Sequence, residues 1–274
     1  MHSPSSRAPI VVIGAGIFGV STALHLVRAG ATVTLVNDGP PGNGASGRSL
    51  SWLNSARRRS AVYHQLRMIG IDRYRTLAAQ SPDAPWLRFD GGLTWDADDA
   101  FNDIVAVHAH ERALGYDAEL LAPESVAAVT PGVNARAITP QGAIFNPGEG
   151  WVDLPSLIAL LLQNFEALGG RTITEAGRAS VDLAGGRVSG VILGDGIRLA
   201  VETVVVATGA GVPELVAATG RHLPDATPIS VLVKTKPVAT GLRAVLNTPR
   251  VAVRPTPDGA LVLDSAWSEE EVIR

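Results

Sequence analysis

The tightest constraint on this chain lies between Ile10 and Val36. A β-branched run, Ile10-Val11-Val12-Ile13, leads into Gly14-Ala15-Gly16-Ile17-Phe18-Gly19 and then into a stretch with Val20, Leu24 and Val27 at helical spacing. A second apolar run follows from Thr32 to Val36, and Gly30 stands where a helix from Ile17 to Ala29 would end in a left-handed residue. Strand, helix and strand in so short a span predict a βαβ unit, since parallel strands need a crossover and cannot be joined by a hairpin. Its turn reads G-x-G-x-x-G. Gly14 permits the tight turn, Gly16 lets the backbone approach a pyrophosphate with no Cβ in the way, and Gly19 lets the helix pack close to the strand. Phosphates bound there would meet free N–H groups and the positive end of the helix dipole. A plain close turn also explains three glycines, but not their place inside a complete unit.

The second strand of such a unit ends in an acidic residue that accepts from the adenosine ribose, about 20 residues after the glycines. Here that position is Asn37, with Asp38 next. An amide oxygen still accepts, more weakly than a carboxylate.

Beyond the unit, residues 40–51 form a Gly/Ser-rich loop, and a long helix is expected from Tyr63 to Ala79 with its apolar face at Leu66, Ile69, Tyr74 and Leu77. Trp86 to Trp95 reads as two strands about Gly91-Gly92, Ala100 to Leu114 as a helix, and Pro123-Glu124-Ser125 as the start of a short helix stopped by Pro131-Gly132. A strongly apolar helix runs from Leu154 to Leu168. Three strands with tight turns follow, Ala179 to Leu183, Val188 to Leu193 and Arg198 to Val201. An apolar strand from Thr203 then enters Ala207-Thr208-Gly209-Ala210-Gly211. Further strands are expected at Ile229 to Thr235, Arg250 to Val253 and Ala260 to Leu263, with a helix beginning after Ser268.

Composition removes several classes. A net charge of -3 offers no general attraction for a nucleic-acid backbone. The absence of cysteine excludes disulfides, thiolate metal sites and a cysteine-linked cofactor, and fits a reducing cytoplasm. No apolar stretch reaches the roughly 18 residues a bilayer span needs. His108 and His110 lie two apart on a helix and share no face, so no metal site is expected. Asp96, Asp98 and Asp99 read as a capping and solvating group, and Arg57-Arg58-Arg59 as a solvated turn or, less simply, an anion site.

The order of these pieces resembles the FAD-dependent amine and amino-acid oxidoreductases, a family that includes D-amino acid oxidase, glycine oxidase and sarcosine oxidase. The resemblance rests on the Gly14 to Asn37 unit, the loop Gly44-Ala45-Ser46-Gly47-Arg48-Ser49, and Gly148-Glu149-Gly150-Trp151-Val152-Asp153-Leu154-Pro155. It rests also on the meander with Gly186-Arg187-Val188-Ser189-Gly190-Val191, and on Val204-Val205-Val206-Ala207-Thr208-Gly209-Ala210. It implies an α/β fold in which a Rossmann-like, three-layer FAD-binding domain (1–85 and 146–220) carries an interleaved α+β substrate domain (86–145 and 221–274). It implies contacts to FAD from Gly14, Ala15, Gly16, Ile17, Phe18, Gly19, Asn37 and Asp38. The loop Ser46, Arg48, Ser49, Leu50, Ser51 would lie along the phosphates and flavin, Ala179 would meet the adenine, and Ala207, Thr208 and Gly209 would pass near the pyrophosphate. Ser51 stands where the family usually has a glycine close to the isoalloxazine.

The implied reaction is oxidation of the C–N bond of a small amine or amino acid by hydride transfer to flavin N5, with hydrolysis of the imine. A zwitterionic substrate needs a cation for its carboxylate, ideally a bidentate arginine. Arg254 is the candidate, on a strand of the substrate sheet, against the alternative of a solvated strand end. The chain stops at Arg274, where the family continues with a Gly-rich segment closing over the flavin. A truncated remnant or accessory subunit is therefore the second reading, its site completed by another copy or a complementing chain. A nicotinamide-dependent dehydrogenase is the third, disfavoured because the meander replaces a crossover helix. Substrate identity, chirality and electron acceptor stay open at this stage.

Overall fold

The computed structural model describes residues 8–227 and 230–265. The expected helix start after Ser268, and Ile229 at the head of its expected strand, lie outside the described residues. The chain divides into two compact units, Met1–Ser49 with Leu154–Pro228, and Leu50–Asp153 with Ile229–Arg274. Both are discontinuous. The boundaries expected at 85 and 146 fall inside the second unit, because strand Gly150–Val152 pairs with Trp52–Leu53 on one side and Leu87–Arg88 on the other.

The first unit is built on four parallel strands in the order Thr203–Val206, Ile10–Ile13, Val33–Val36, Arg171–Ile173. The apolar runs make physical sense here, since a parallel sheet covered on both faces has no polar face to show. Val12, Val33 and Leu35 pack with Val20, Ala23 and Leu24 of helix Ile17–Arg28 and with Ile158 and Phe165 of helix Leu154–Ala167. Val11, Ile13 and Val36 face the other way, against Val191, Leu193 and Val201 in or beside the three-stranded meander. The meander, Ser180–Ala184, Arg187–Ile192 and Arg198–Ala200, is antiparallel in sequence order. Helices, sheet and meander form the three expected layers. Gly30 ends the first helix with φ +83°, as its position predicted.

The second unit carries a seven-stranded sheet and a three-stranded sheet. The larger runs Leu232–Lys234, Leu261–Asp264, Ala252–Pro255, Val245–Asn247, Gly92–Thr94, Ala143–Asn146, Glu119–Leu121. Helix Ile104–Ala113 packs on Ala118 and Ile144 through Ile104 and Val107. The long helix is Ala61–Gln80, and its expected apolar face divides: Tyr74 and Leu77 are half-buried, whereas the end carrying Leu66 and Ile69 is turned outward. Leu66 is 62% and Ile69 60% exposed, while His64 and Ile71 are buried. Polar bonds override the hydrophobic pattern: His64 Nδ1 lies 2.9 Å from Ser55 Oγ, Arg67 Nε donates to Asn54 O (2.5 Å), and Arg75 donates to Gly148 O (2.7 Å).

Candidate functional site

In the first unit the glycine loop sits where two parallel strands end together. Gly14 N–H donates to Val36 O (2.7 Å) and Ala207 N–H to Ile13 O (2.8 Å), so the loops leaving three strands converge at the C-terminal end of the sheet. Gly14 has φ +110°, and a Cβ there would stand 2.7 Å from the Ala207 carbonyl carbon and 3.1 Å from Thr208 N. Only glycine serves at that point. A Cβ on Gly19 would run into the Gly14 carbonyl oxygen, which confirms its role in close helix packing. Gly16 differs from both. Its φ of -75° and ψ of 177° suit any residue, and a Cβ would meet only Ser46 Oγ at 3.2 Å. Neither backbone strain nor a packed neighbour requires a glycine there, so the remaining reason is an approach kept open from outside the chain.

The surrounding residues complete a cradle. Ser46 Oγ accepts from Ile17 N–H (3.0 Å), the first helical N–H. Ala15 is fully buried and its N–H donates to Asn37 Oδ1 (2.8 Å). Asn37 Nδ2 donates to Gly39 O (2.9 Å) and Pro40 O (3.0 Å). This explains an amide in place of the expected acid: a carboxylate would set oxygen against two carbonyls. Asn37→Asp should destabilise the unit by about 2 kcal/mol, read as a lower urea midpoint, while a midpoint unchanged from the parent would mean the two donated bonds contribute nothing.

Asp38 is exposed and accepts from Asn43 Nδ2 (3.3 Å). Phe18 is 83% exposed at the mouth of the loop, Arg48 is exposed and Ser49 half-buried. Ala179 is buried with Val36 between sheet and meander. Thr208 Oγ1 is buried without a partner among the described residues, and Gly209 is exposed with φ +59°. An orphan hydroxyl, an open approach at Gly16 and the N-terminus of a 12-residue helix are what a pyrophosphate needs.

Leu50, Ser51 and Arg254 belong to the second unit. The solvated-end alternative for Arg254 does not hold. The strand runs on to Pro255, Arg254 pairs with Val262, and the residue is 3% exposed. Its Nε donates to Leu50 O (2.5 Å) and Nη1 to Pro255 O (3.0 Å), Nη2 lies 3.6 Å from Asp153 Oδ1, and the guanidinium stands 5.2 Å from the Trp151 ring centroid. Burial lowers its pKa and Asp153 opposes that. Arg57 pairs with Asp96 (2.6 Å) and Arg58 with Asp103 (2.5 Å), while Arg59 Nε donates to Ala56 O (3.1 Å), so the arginine run is engaged within this unit. Lys234 pairs with Asp258 (2.8 Å).

A buried polar network in this unit carried little sequence signal. Glu149 is fully buried, its Oε1 accepting from Tyr116 OH (2.5 Å) and its Oε2 from Trp52 Nε1 (2.8 Å). Tyr116 OH also accepts from Ser55 N–H (2.9 Å). Glu111, also buried, accepts from Arg57 N–H (2.6 Å) and Asn146 Nδ2 (3.0 Å). Burial pushes Glu149 up to about 8 despite the hydrogen bond from Tyr116, and Glu111 adds to the rise. The only hint was an acid between Gly148 and Gly150 in the turn joining two short strands.

Sheet order, meander and glycine cradle define a dinucleotide-binding α/β protein of the flavoprotein kind. The chain belongs to the FAD dependent oxidoreductase family, whose model matches residues 9–272. Glycine oxidase of Pseudomonas aeruginosa is 32% identical over 271 residues, covering 93% of this chain and 70% of that protein. The uncharacterized oxidoreductase YurR of Bacillus subtilis is 28% identical over 222 residues, covering 77% of this chain. The chain spans 58% of YurR's length. The structure of glycine oxidase from Bacillus cereus superposes with a TM-score of 0.77 at 21% identity, over 94% of this chain and 70% of that one. FAD is the cofactor of this family, and the cradle fits it. Among the described residues, no helix is long and apolar enough to cross a membrane.

Proposed function

We propose that the protein is an FAD-dependent oxidoreductase that oxidises the C–N bond of a small amine or amino acid. The observation that carries this reading is the open approach at Gly16, at the N-terminus of helix Ile17–Arg28, within a chain of this family. FAD, when bound, supplies the acceptor for a hydride from the carbon bearing nitrogen, and water then hydrolyses the resulting imine to a carbonyl compound and an amine or ammonia. Gly14 to Gly19, Ser46 and Ala207 to Gly209 would hold the pyrophosphate. Asn37, whose Oδ1 keeps a second lone pair beside Ala15 N–H, and Asp38 would take the ribose. Arg48 to Ser51 and Ala179 complete the proposed contacts. Glycine oxidase among the relatives supports an amino acid as the substrate class.

Arg254 is the proposed cation for the substrate carboxylate, through terminal N–H groups not spent on Pro255 O. Arg254→Ala should then lower kcat/KM for amino acids roughly 100-fold, about 3 kcal/mol, while the corresponding decarboxylated amines lose little. An equal fall for both substrate sets would assign Arg254 to scaffolding through Leu50 and Asp153 instead. The reading as a whole is tested by the visible spectrum of the purified chain, with the released cofactor identified by mass and amines and amino acids screened anaerobically for bleaching. A folded chain that takes up no added FAD would overturn it, and leave the noncatalytic reading in its place.

A further inference from the structure

Ser51 is one of three non-glycine residues with positive φ among the described residues, at +52°. A side chain in the left-handed region costs about 1 kcal/mol or more and persists only where its surroundings over-determine it. The surroundings here are explicit. Leu50 O is held by Arg254 Nε, Ser51 O by Val152 N–H (3.2 Å), and Trp52–Leu53 by pairing with Gly150–Trp151. Asn54 Nδ2 returns to Trp52 O (3.1 Å). Both oxygens of Glu149 then serve this same segment, one directly at Trp52 and the other through Tyr116 at Ser55. Gly92 completes the fit, since a Cβ there would run into Glu149 Oε2.

We infer that Glu149 is a positioning residue: with Tyr116 it anchors the Leu50–Ser55 segment at Trp52 and at Ser55 and so holds Ser51 in its left-handed conformation. The geometry suits a purely accepting group, because Trp52 N–H and Tyr116 O–H both point their hydrogens at it. An amide cannot copy this, as its NH2 would face one of those donors. Groups facing Glu149 are Tyr116 and Glu111 from the segment 111–116, Trp52 and Ser55 from the strap itself, and Gly92 from the neighbouring strand; no cation is among them. The pKa near 8 makes the anchor pH-sensitive, with the full accepting strength of the carboxylate present above that value.

The inference rests on the proposed function only for its flavin readout. The experiment is a double-mutant cycle of Glu149→Gln with Ser51→Gly, reading FAD dissociation constant and thermal midpoint. Glycine adopts φ +52° freely, so a residue whose task is to hold that conformation matters less once glycine is there. At pH 9, where Glu149 is ionised, Glu149→Gln should weaken FAD binding roughly tenfold with Ser51 present and less than about twofold in the Ser51→Gly background. The affinity of the parent should also change through a midpoint near pH 8 that the Gln variant lacks. Equal losses in both backgrounds, or a loss of stability with unchanged affinity and no pH midpoint, would make Glu149 an ordinary buried structural acid. If Glu149→Gln does not fold, Tyr116→Phe, which removes the Ser55 arm and the donor to Glu149 Oε1 but keeps the Trp52 arm, replaces it in the same cycle. If the parent binds no FAD, the proposed function has failed. The coupling of Glu149 to Ser51 is then decided by the thermal midpoints, additive values overturning the inference and non-additive ones supporting it.

Discussion

Gly16→Val is expected to give a folded chain that has lost its flavin. The position tolerates the side chain: its dihedral angles suit a β-branched residue, and the nearest atom to the new Cβ is Ser46 Oγ at 3.2 Å, the tip of a small side chain. Gly16 itself makes no side-chain cap bond; Ser46 Oγ, which accepts from Ile17 N–H, has to give by a few tenths of an ångström. The fold should therefore keep its stability to within about 1 kcal/mol. On the proposed reading, the isopropyl group would fill the space through which a pyrophosphate reaches the N–H groups of the first turn. Loss of those bonds and of close approach to the dipole should weaken FAD at least ~100-fold, about 3 kcal/mol. Unfolding melts paired with the absorbance of FAD retained after gel filtration separate the two effects. A variant retaining stoichiometric FAD would show that the cradle is not where the pyrophosphate binds.

Much of the first unit was legible because its signals are local. A parallel sheet covered on both faces writes its strands as unbroken apolar runs, as at Ile10–Ile13 and Thr203–Val206, and the three glycines follow the first of these runs directly as a recognisable G-x-G-x-x-G turn. Strand Arg171–Ile173 escaped notice for the opposite reason. It is three residues long, sits at the sheet edge, begins with an exposed arginine and depends on Val33–Val36 far back in the chain.

The second unit was harder, since its strands of three or four residues take partners from distant segments. Val245–Asn247 lies parallel to Gly92–Thr94, and Ala143–Asn146 pairs with both Gly92–Thr94 and Glu119–Leu121. Periodicity also misled at helix Ala61–Gln80, whose inward contacts include hydrogen bonds from His64, Arg67 and Arg75. Buried charge has no local signature at all. Nothing near Arg254 or Glu149 in sequence announces that Leu50, Asp153, Trp52 and Tyr116 will close around them.

Gly19→Ala should produce the reverse of the Gly16 result, with the fold damaged first and FAD lost as a consequence. Helix propensity alone predicts the wrong sign, because alanine is better than glycine in a helix interior by about 1 kcal/mol. The packing decides. A Cβ at 19 would run into the Gly14 carbonyl oxygen, stand 2.9 Å from that carbonyl carbon and lie 3.3 Å from Ala207 Cβ. These are not flexible side-chain tips. Gly14 is fixed by its bond to Val36 O and crowded by the Ala207 backbone, so the loop cannot retreat. The helix must lift instead, pulling Val20, Ala23 and Leu24 from the core they share with Val12, Val33 and Leu35. Overpacking of this kind costs about 3 kcal/mol net, roughly 5 °C in thermal midpoint for a chain of this size, and should appear without FAD as clearly as with it. A Gly19→Ala protein as stable as its parent would mean that the helix does not pack so close to Gly14. Two glycines three residues apart would then no longer divide the work, one leaving room for the cofactor and the other for the fold that presents it.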